Sequence, residues 1–451
     1  MAKNRNRKKR RNPARPRRKQ PLRAVLAASL LFQASACLLL AFKGEGIDWT
    51  AVALAFSLPA LSWFFAKPLC RMLRADPLLV TVTDFLCGLG TVLLYALSPA
   101  TGLKHAVHFA LGVAAFSLCA LAVRRIKRWG VLCAAAMPVC AALLLLPVAI
   151  GHEINGAKNW IGIPGFGSFQ PSELVKIMLA FALAQYFSTL RGVKGMIPGL
   201  AFAAVCLGVL MLQKDLGTAL LYYLVTLLLF WAASSNVPLT LAGLAGGAGA
   251  AVLGYKLFAH VRTRVAIWRN PWSDALGKGY QIVQALTAIA SGGLFGVGLG
   301  MGESRVIPAY STDFIFAVLC EQMGLVTGVL VLGLYAIVII RGAGISLRAR
   351  SRFAALLAMA ATAFLGLQTF VIIGGVIKLI PLTGVTLPFL SAGGTSMISC
   401  MGLVGILCGV NAATEDGHDA DEQMTAQSAE ENRLKSFARI CASSRRCCSR
   451  F

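Results

Sequence analysis

The acidic residue best placed to take part in a reaction is Asp313, within the run STDFIFAVLCEQMG at positions 311–324. It lies where a long polar loop meets a long apolar segment, and a carboxylate at such depth is costly unless it has a function. As a general base, Asp313 would have to reach the hydroxyl that it deprotonates, and apolar surroundings would raise its pKa toward a useful range. The structural alternative is that Asp313 caps the helix that follows it.

Other ionisable residues are predicted on the same side of the membrane as Asp313. Glu173 and Lys176 stand three positions apart on one helix, so they share a face and can pair. Either this ion pair stabilises the start of the helix, or Glu173 holds the Lys176 ammonium in place to bind a phosphate group. Lys158 supplies a second cation, and the ring of Trp160 can stack on a sugar or simply anchor the chain at the interface. The remaining candidates for binding an anionic substrate are Arg262, Arg264 and Lys378.

Hydropathy defines the elements that must position these residues. Of the 451 residues, 57% are hydrophobic and only 14% are charged, and the mean hydropathy is +0.72, whereas soluble proteins carry about 25% charged residues. Stretches of membrane-spanning length recur throughout. We predict an all-α polytopic membrane protein of about twelve transmembrane helices, at 24–42, 47–66, 78–98, 105–123, 130–150, 172–190, 196–212, 216–233, 237–259, 313–340, 353–380 and 388–410.

The charge distribution predicts the orientation of these helices. The net charge is +25, and residues 1–23 hold twelve Lys or Arg and no acid. Beside a first apolar span, this basic tail is better interpreted as a cytoplasmic anchor that contacts anionic membrane lipid than as a nucleic-acid-binding arm. Basic residues recur in the alternate short loops, so both termini are predicted to be cytoplasmic.

The loops and tails differ in character. Two loops on the opposite, extracytoplasmic side are long, 151–171 and 260–312, and the second contains a segment at 281–295 that fits a re-entrant or interfacial helix ending in glycines. The tail at 412–451 begins acidic and ends basic, and it is expected to be solvated and disordered. The thirteen Cys show no metal-binding spacing. No cofactor and no metal site are predicted, although a divalent metal in the reaction stays open.

Several sequence motifs follow one another along the chain. They are GAKNWIGI and FQPSELVKI within 156–177, LQKDLGTAL at 212–220, NPW at 270–272 followed by GYQIVQALTAIASGGLFGVGLG, TDFIFAVLCEQMGL at 312–325, and PLTGVTLPFLSAGGTSM at 381–397. Together these motifs resemble the SEDS family of RodA, FtsW and SpoVE proteins. The resemblance covers about residues 78–411, and because the family has a ten-helix core, residues 24–77 would be two additional N-terminal helices. The sequence departs from the family pattern at Lys214, Gln322 and Ala392.

The resemblance implies a peptidoglycan glycosyltransferase of the bacterial cytoplasmic membrane, acting in elongation, division or sporulation. Such enzymes polymerise lipid II at the outer membrane face and work with a class B penicillin-binding protein. By motif, Asp313 matches the essential acid of TDFIFA in the family, Trp160 matches the Trp of GAKxW, and Glu173 and Lys176 match the QPSExxK pair. A glycosyltransferase that converts an α-linked donor into β-linked glycan by a single inverting displacement needs one base and no covalent intermediate.

Two other classes of function remain as alternatives. A lipid II flippase or transporter would use the same polar cavity without making a bond. This hypothesis predicts pairs of polar residues at the membrane midplane and broken helices in both halves of the chain. A non-catalytic morphogenesis scaffold predicts that Asp313 is dispensable. The concentration of titratable residues on the outer side favours chemistry at the membrane surface.

Overall fold

The computed structural model describes residues 20–126, 128–154, 157–163, 167–189 and 193–417. Most of the predicted basic tail and the C-terminal tail beyond residue 417 lie outside the described residues. Each predicted span corresponds to a helix, with ends shifted by up to eight residues, and residues 412–417 of the predicted C-terminal tail belong to the last helix. The helices are α1 (Gln20–Ala41), α2 (Trp49–Met72), α3 (Pro77–Leu97), α4 (Pro99–Arg125), α5 (Trp129–Ile150), α6 (Pro171–Thr189), α7 (Val193–Leu212), α8 (Leu216–Ser234), α9 (Val237–Leu257), α10 (Ala259–Arg269), α11 (Tyr280–Ser291), α12 (Ile315–Arg348), α13 (Arg352–Val376) and α14 (Gly394–Gly417).

Eleven of the described helices are long and apolar enough to cross a membrane. The exception among the twelve predicted spans is α6, a 19-residue helix that carries Glu173, Lys176 and Gln185 among its apolar residues. It nevertheless lies inside the bundle, with Leu179 and Phe187 fully buried. The fold is therefore the predicted all-α polytopic membrane fold.

The depth of burial separates central helices from peripheral ones. Of the membrane-length stretch in each helix, 89% is buried in α3 and 78% in both α13 and α14, whereas none is buried in α9. The helices α3, α13 and α14 thus form the centre of the bundle, and α9 lies at its edge. The segment between α13 and α14, residues 377–393, therefore connects two helices at the centre of the bundle.

The long helix α12 is interrupted near its start, at Gly324. This residue has φ of 83°, and a Cβ there would lie 2.2 Å from the carbonyl oxygen of Leu294, so only glycine fits. The glycine-rich chain after α11 enters the gap: Val297 N–H donates to the Glu321 carbonyl at 2.9 Å, and Leu325 N–H donates to that of Gly293 at 2.9 Å. These bonds satisfy the backbone groups released by the break, as a re-entrant segment requires.

Three short strands that the sequence analysis did not predict occupy part of the loop at 151–171. They are β1 (His152–Ile154), β2 (Ala157–Ile163) and β3 (Gly167–Phe169). They form an antiparallel sheet in the order β1-β2-β3. Strands of three to seven residues in a Gly-rich segment give no reliable period-two pattern, which explains why only a loop was expected.

The two additional helices α1 and α2 are attached to α3 by polar contacts as well as by apolar packing. Within the hairpin, Ser62 donates to the Gln33 side chain at 3.0 Å. At the end of the bundle that carries Asp313, the Tyr95 hydroxyl donates to Asp48 at 2.7 Å, and the Lys43 ammonium donates to the Gly300 carbonyl. The hairpin therefore reaches the long loop that precedes Asp313.

Ion pairs connect the helices at the other end of the bundle. Arg124 contacts Asp416 at 2.8 Å, and Arg74 contacts the same carboxylate. Arg341 at the end of α12 contacts Asp76, which also caps the start of α3. Since Arg341 lies on the same 34-residue helix that starts just after Asp313, about 40 Å of helix separates this end from Asp313.

Candidate active site

Asp313 lies in a turn immediately before α12. Its backbone N–H donates to the Ala309 carbonyl at 3.1 Å. The turn is fixed from the side by the segment 377–393, because the Ser391 hydroxyl donates to the Thr312 carbonyl at 2.6 Å and Ala392 N–H donates to the Ser311 carbonyl at 2.8 Å. The position of the acid is therefore set by two elements that are far apart in sequence.

The carboxylate of Asp313 is half-buried and does not act as a helix cap. Among the described residues, no backbone N–H donates to it, and α12 begins without a side-chain cap. Burial raises the pKa of Asp313 to about 6, against the opposing effects of a hydrogen bond from Thr312 and the positive charge of Arg264. A carboxylate with this pKa is largely deprotonated at pH 7 yet remains a competent proton acceptor.

Arg264 on α10 lies opposite Asp313 across Gly384. Its guanidinium donates to the carbonyls of Leu382 and Thr383 at 3.2 and 2.9 Å. Gly384 has φ of 78°, and a Cβ there would lie 3.6 Å from Asp313 Oδ2 and 3.9 Å from Arg264 Nη2. The acid and the guanidinium thus border one narrow space that a glycine keeps open.

Two further predicted cations belong to the same two chain segments as Arg264 and Gly384. Arg262 is exposed two residues before Arg264 on α10. Lys378 is half-buried just after α13, with φ of 63°, and its carbonyl accepts a hydrogen bond from the Trp268 indole at 3.1 Å. The Trp268 bond and the two Arg264 bonds join α10 to the segment 377–393. No hydrogen bond or ion pair among the described residues connects the side chain of Arg262 or Lys378 to Asp313, so their contact with substrate stays a prediction.

Glu173 and Lys176 form a second, separate group deeper in the bundle. The Lys176 ammonium contacts Glu173 at 2.5 Å and the Gln368 side-chain oxygen at 3.0 Å, and Lys176 is only 2% exposed. Glu173 also accepts a hydrogen bond from Ser399 at 2.5 Å. The pair is therefore neutralised and enclosed by α13 and α14, and Lys176 does not face an open cleft in this structure.

The Lys176 network extends toward the Asp313 turn through the segment 377–393. Gln368 donates to the Thr386 carbonyl at 2.9 Å, and the Thr386 hydroxyl donates to Ser396 at 2.7 Å. The same segment carries Gly384 at the site. This geometry fits a positioning role for Glu173 and Lys176, while their direct contact with substrate stays a prediction.

Lys158 and Trp160 lie on strand β2, outside both groups. The Lys158 ammonium donates to the Val148 carbonyl at the end of α5, at 2.8 Å. Between them, Asn159 donates to Asp215 at 2.7 Å, which fixes the strand to the turn before α8. No hydrogen bond among the described residues connects Lys158 or Trp160 to the Asp313 turn, so their contact with substrate also stays a prediction.

A cavity of about 340 Å³ opens beneath the re-entrant segment, next to Glu321. The Glu321 carboxylate accepts from the backbone N–H groups of Glu303 and Ser304 at 3.0 and 3.1 Å, so it holds the loop before Asp313. Gln322, a departure from the family pattern, performs a similar function by accepting from Gly300 N–H at 2.8 Å. Polar groups line much of the wall: Gln284, Thr287, Ser291 and Ser304.

His260, which no sequence pattern singled out, lies one helical turn before Arg264. Burial and the nearby charges of Arg264 and Lys214 lower the pKa of His260, so the ring is neutral at pH 7. Its Nε2 atom is buried without a hydrogen-bond partner. The spacing of four residues from Arg264 on one helix was the available signal, but without a known end point for α10 it could not be interpreted.

The described part of the chain contains no group of three or more His, Cys, Asp or Glu residues placed to hold a metal ion. Asp313 has the cation Arg264 beside it instead of a second acid.

Comparison with known proteins gives concordant similarities. The family model for cell cycle proteins of the FtsW, RodA and SpoVE type matches residues 79–416. The peptidoglycan glycosyltransferase RodA of Mycobacterium tuberculosis (strain ATCC 25618 / H37Rv) is 36% identical over 435 residues, which cover 88% of this chain and 91% of the relative. That coverage exceeds residues 79–416, so the similarity extends beyond the family core.

Two solved structures share the fold. The crystal structure of the rod shape determining protein RodA of Thermus thermophilus is 28% identical, with a TM-score of 0.55, covering 76% of this chain and 98% of that chain. A chain from the structure reported as "Structural coordination of polymerization and crosslinking by a peptidoglycan synthase complex" is also 28% identical. Its TM-score is 0.64, and the match covers 75% of this chain and 98% of that chain.

Proposed function

Because the chain belongs to the FtsW, RodA and SpoVE family of cell cycle proteins, we propose that it is a peptidoglycan glycosyltransferase that polymerises lipid II into glycan strands. The observation that carries the mechanism is the half-buried, uncapped carboxylate of Asp313 beside Arg264. One base and one adjacent cation are the groups that an inverting transfer from a pyrophosphate-linked sugar requires.

In the proposed reaction, Asp313 accepts the proton of an acceptor sugar hydroxyl as that oxygen attacks the sugar carbon that carries the lipid pyrophosphate. A new glycosidic bond forms, the bond to the pyrophosphate oxygen breaks, and the electron pair leaves with the lipid pyrophosphate. Arg264 stabilises the negative charge that develops on the leaving group, and Arg262 and Lys378 are further candidate cations for this role. No covalent enzyme intermediate is needed.

The proposed orientation places Asp313 at the outer face of the bacterial cytoplasmic membrane and both termini in the cytoplasm. The ends of α4 and α12, which lie opposite Asp313, carry Arg124, Arg125, Arg341 and Arg348. This distribution supports the orientation through the positive-inside rule. Tags at both termini should be accessible to impermeant reagents only after the membrane is opened.

We also propose a class B penicillin-binding protein as the partner that crosslinks the new strands. The support is the similarity to a chain from a peptidoglycan synthase complex that coordinates polymerisation with crosslinking. Whether the pair serves elongation, division or sporulation is a separate question, which depletion of the protein in its own cells would answer through cell shape.

The function is tested with the purified protein, its penicillin-binding partner and labelled lipid II. Glycan products are separated on a gel, and Asp313→Asn is compared with the unchanged protein. Loss of polymer with retained lipid II binding supports the proposal. Full polymerisation by the variant would remove Asp313 from the mechanism.

The same preparation distinguishes the two alternatives. A flippase would move labelled lipid II across a vesicle membrane without producing polymer, and a scaffold would do neither. The described helices include one clear break, at Gly324 in α12, whereas a transporter of this class is expected to have breaks in both halves.

A further inference from the structure

The cavity of about 340 Å³ next to Glu321 has polar side chains on two sides. Its volume is within the range of small-ligand sites. Helix α11 forms one side through Gln284, Thr287 and Ser291, which recur every three or four residues and therefore share one face of the helix. The loop 297–307 forms another side and leads to the turn that carries the proposed base.

The cavity lies near the level of the lipid headgroups. Glu321 and Arg341 stand 20 residues apart on α12, which corresponds to about 30 Å of helix. This is the thickness of the hydrocarbon core of a membrane. In the proposed orientation, with Arg341 at the inner face, the cavity is therefore at the outer face, and Thr287, Ser291 and Glu303 in its wall are exposed.

The side chains of this wall offer mostly hydrogen-bond acceptors. The hydroxyls of Thr287 and Ser291 each donate to a backbone carbonyl of their own helix at 2.9 Å. Each hydroxyl therefore has only its oxygen lone pairs left for a ligand. The carboxylates of Glu303 and Glu321 are acceptors as well, so a ligand that fits this wall must supply donors.

The backbone of the loop 297–307 adds few free donors. Three of its N–H groups donate to Glu321 and three to carbonyls within the loop, namely those of Val297, Glu303, Ser304, Met301, Val306 and Ile307. The cavity is therefore poorly suited to an anion such as pyrophosphate, which requires several donors.

One buried polar atom at the cavity has no partner. Ser304 lines the cavity and is 1% exposed, and its Oγ atom has no hydrogen-bond partner among the described residues. A buried polar group in this state costs about 1–3 kcal/mol. A polar ligand in the cavity would remove that cost.

The charge around the cavity is negative. Glu303 and Glu321 line it, and no Lys, Arg or His of the described chain does. The cations of the neighbouring segments, Arg305 and Lys43, donate to backbone carbonyls of residues outside the lining. Helix α11 also ends at the cavity, at Ser291, and a helix C-terminus carries a partial negative charge.

We propose that this cavity binds a primary ammonium group, and that this group belongs to the peptide of the glycan substrate. An ammonium has three donors and one positive charge, which complement a wall of acceptors with two carboxylates. Crosslinking joins two peptides through an amide bond, so one of them must carry a free amine. The identity of the ligand rests on the proposed function, whereas the preference for an ammonium rests on the wall itself.

The distance from the proposed base is compatible with a substrate peptide. Glu321 lies eight residues after Asp313, about 12 Å along the helix, and an extended peptide covers this distance in about four residues. A divalent metal fits the cavity less well, because such ions take six or more oxygen ligands and each oxygen of the Glu321 carboxylate already accepts an N–H group.

The proposal is tested by competition between two forms of lipid II, one with a free peptide amine and one with that amine acetylated. The full chain in detergent is mixed with equal amounts of both, and native mass spectrometry measures which form is retained. The free amine should be preferred about tenfold, the value of one hydrogen bond to a charged group. Equal retention of the two forms would overturn the proposal.

Glu303→Gln locates the preference in the cavity. The Glu303 side chain makes no hydrogen bond or ion pair among the described residues, so the variant should fold normally while its preference for the free amine falls roughly threefold. Thr287→Val removes one acceptor without a change in charge and should cause a smaller loss. Glu45→Gln, an exposed acid at the same end of the bundle, is the matched control, and an equal loss in this control would contradict the site.

A membrane lipid with the same ammonium is the competing ligand. Phosphatidylethanolamine is therefore titrated beside phosphatidylglycerol, and retention of phosphatidylethanolamine that Glu303→Gln weakens, without any preference between the two forms of lipid II, would overturn the assignment to substrate. Polymerisation is measured separately. Absence of polymer with a retained preference for the free amine would count against the proposed function and would still support the ammonium site.

Discussion

Two regions of the molecule each combine a carboxylate with a cation, and they differ in every respect that matters for chemistry. At Lys176, the ammonium touches Glu173 and Gln368, and Glu173 is also bound by Ser399. At Asp313, the carboxylate is half-buried, uncapped and separated from Arg264 by the space beside Gly384. Enclosure and saturated hydrogen bonding stabilise a fold, whereas an open acid with a raised pKa can accept a proton.

The largest expected effect on polymerisation comes from neutralising Asp313. Asp313→Asn should lower polymerisation by about 10²–10⁴-fold, the usual contribution of a general base, with an unchanged melting temperature. Asp274→Asn, an exposed residue of the same loop, is the control and should leave both unchanged. A gel of glycan products and a thermal melt in detergent measure the two properties.

Glu173→Gln should show the reverse pattern. It leaves the Lys176 ammonium buried without its counterion, which costs about 3–5 kcal/mol in comparable buried pairs, so the melting temperature should fall clearly. If this variant instead kept its stability and lost only its use of lipid II, the pair would belong to the substrate site.

The double variant Glu173→Gln and Lys176→Met sharpens the same comparison. Removing both charges together abolishes the uncompensated ion, so the double variant should be more stable than Glu173→Gln alone. Thermal melts of the single and double variants, in the same detergent, give the coupling between the two residues. Additive losses would contradict a direct stabilising pair.

Arg264→Gln should have a smaller effect than Asp313→Asn. Loss of one charge-assisted contact to the leaving group costs about 2 kcal/mol, which corresponds to roughly 30-fold in rate. Arg269→Gln, at the exposed end of the same helix, is the control. Initial rates over a range of lipid II concentrations separate a loss in turnover from a loss in binding, and an unchanged rate would exclude Arg264 from charge stabilisation.

Gly384→Ala tests the space between acid and guanidinium directly. The added methyl group would lie between Asp313 and Arg264, and the left-handed backbone costs an alanine about 1–2 kcal/mol. Polymerisation should fall several-fold with little loss of folded protein. Gly249→Ala, on the open side of α9 where a Cβ meets nothing within 4 Å, is the control, and equal activity in both variants would argue against a substrate at this position.

The sequence located the helices and the acid but not the partners of the acid. Hydrophobic runs of membrane length are strong local signals, and the TDFIFA motif identified Asp313 without any structure. The approach of Gly384 and Arg264 to Asp313 depends on contacts between α10 and the segment 377–393, which are more than a hundred residues apart in sequence. No local pattern encodes such a contact.

Burial was the other property that the sequence did not reveal. The spacing of Glu173 and Lys176 correctly predicted their pairing, but Gln368 and Ser399, which enclose the pair, come from α13 and α14. The break at Gly324 was missed for a similar reason, since it becomes necessary only when the glycines after α11 insert into α12.

The pH dependence of polymerisation tests the role of Asp313 most directly. The pKa of about 6 predicts that kcat/KM falls below pH 6 as Asp313 becomes protonated, and that it levels off above pH 7. In Arg264→Gln, this inflection should move to higher pH, because the cation that lowers the pKa of Asp313 is gone. A profile that stays flat from pH 5 to 8, or an inflection that Arg264→Gln leaves in place, would contradict Asp313 as the base.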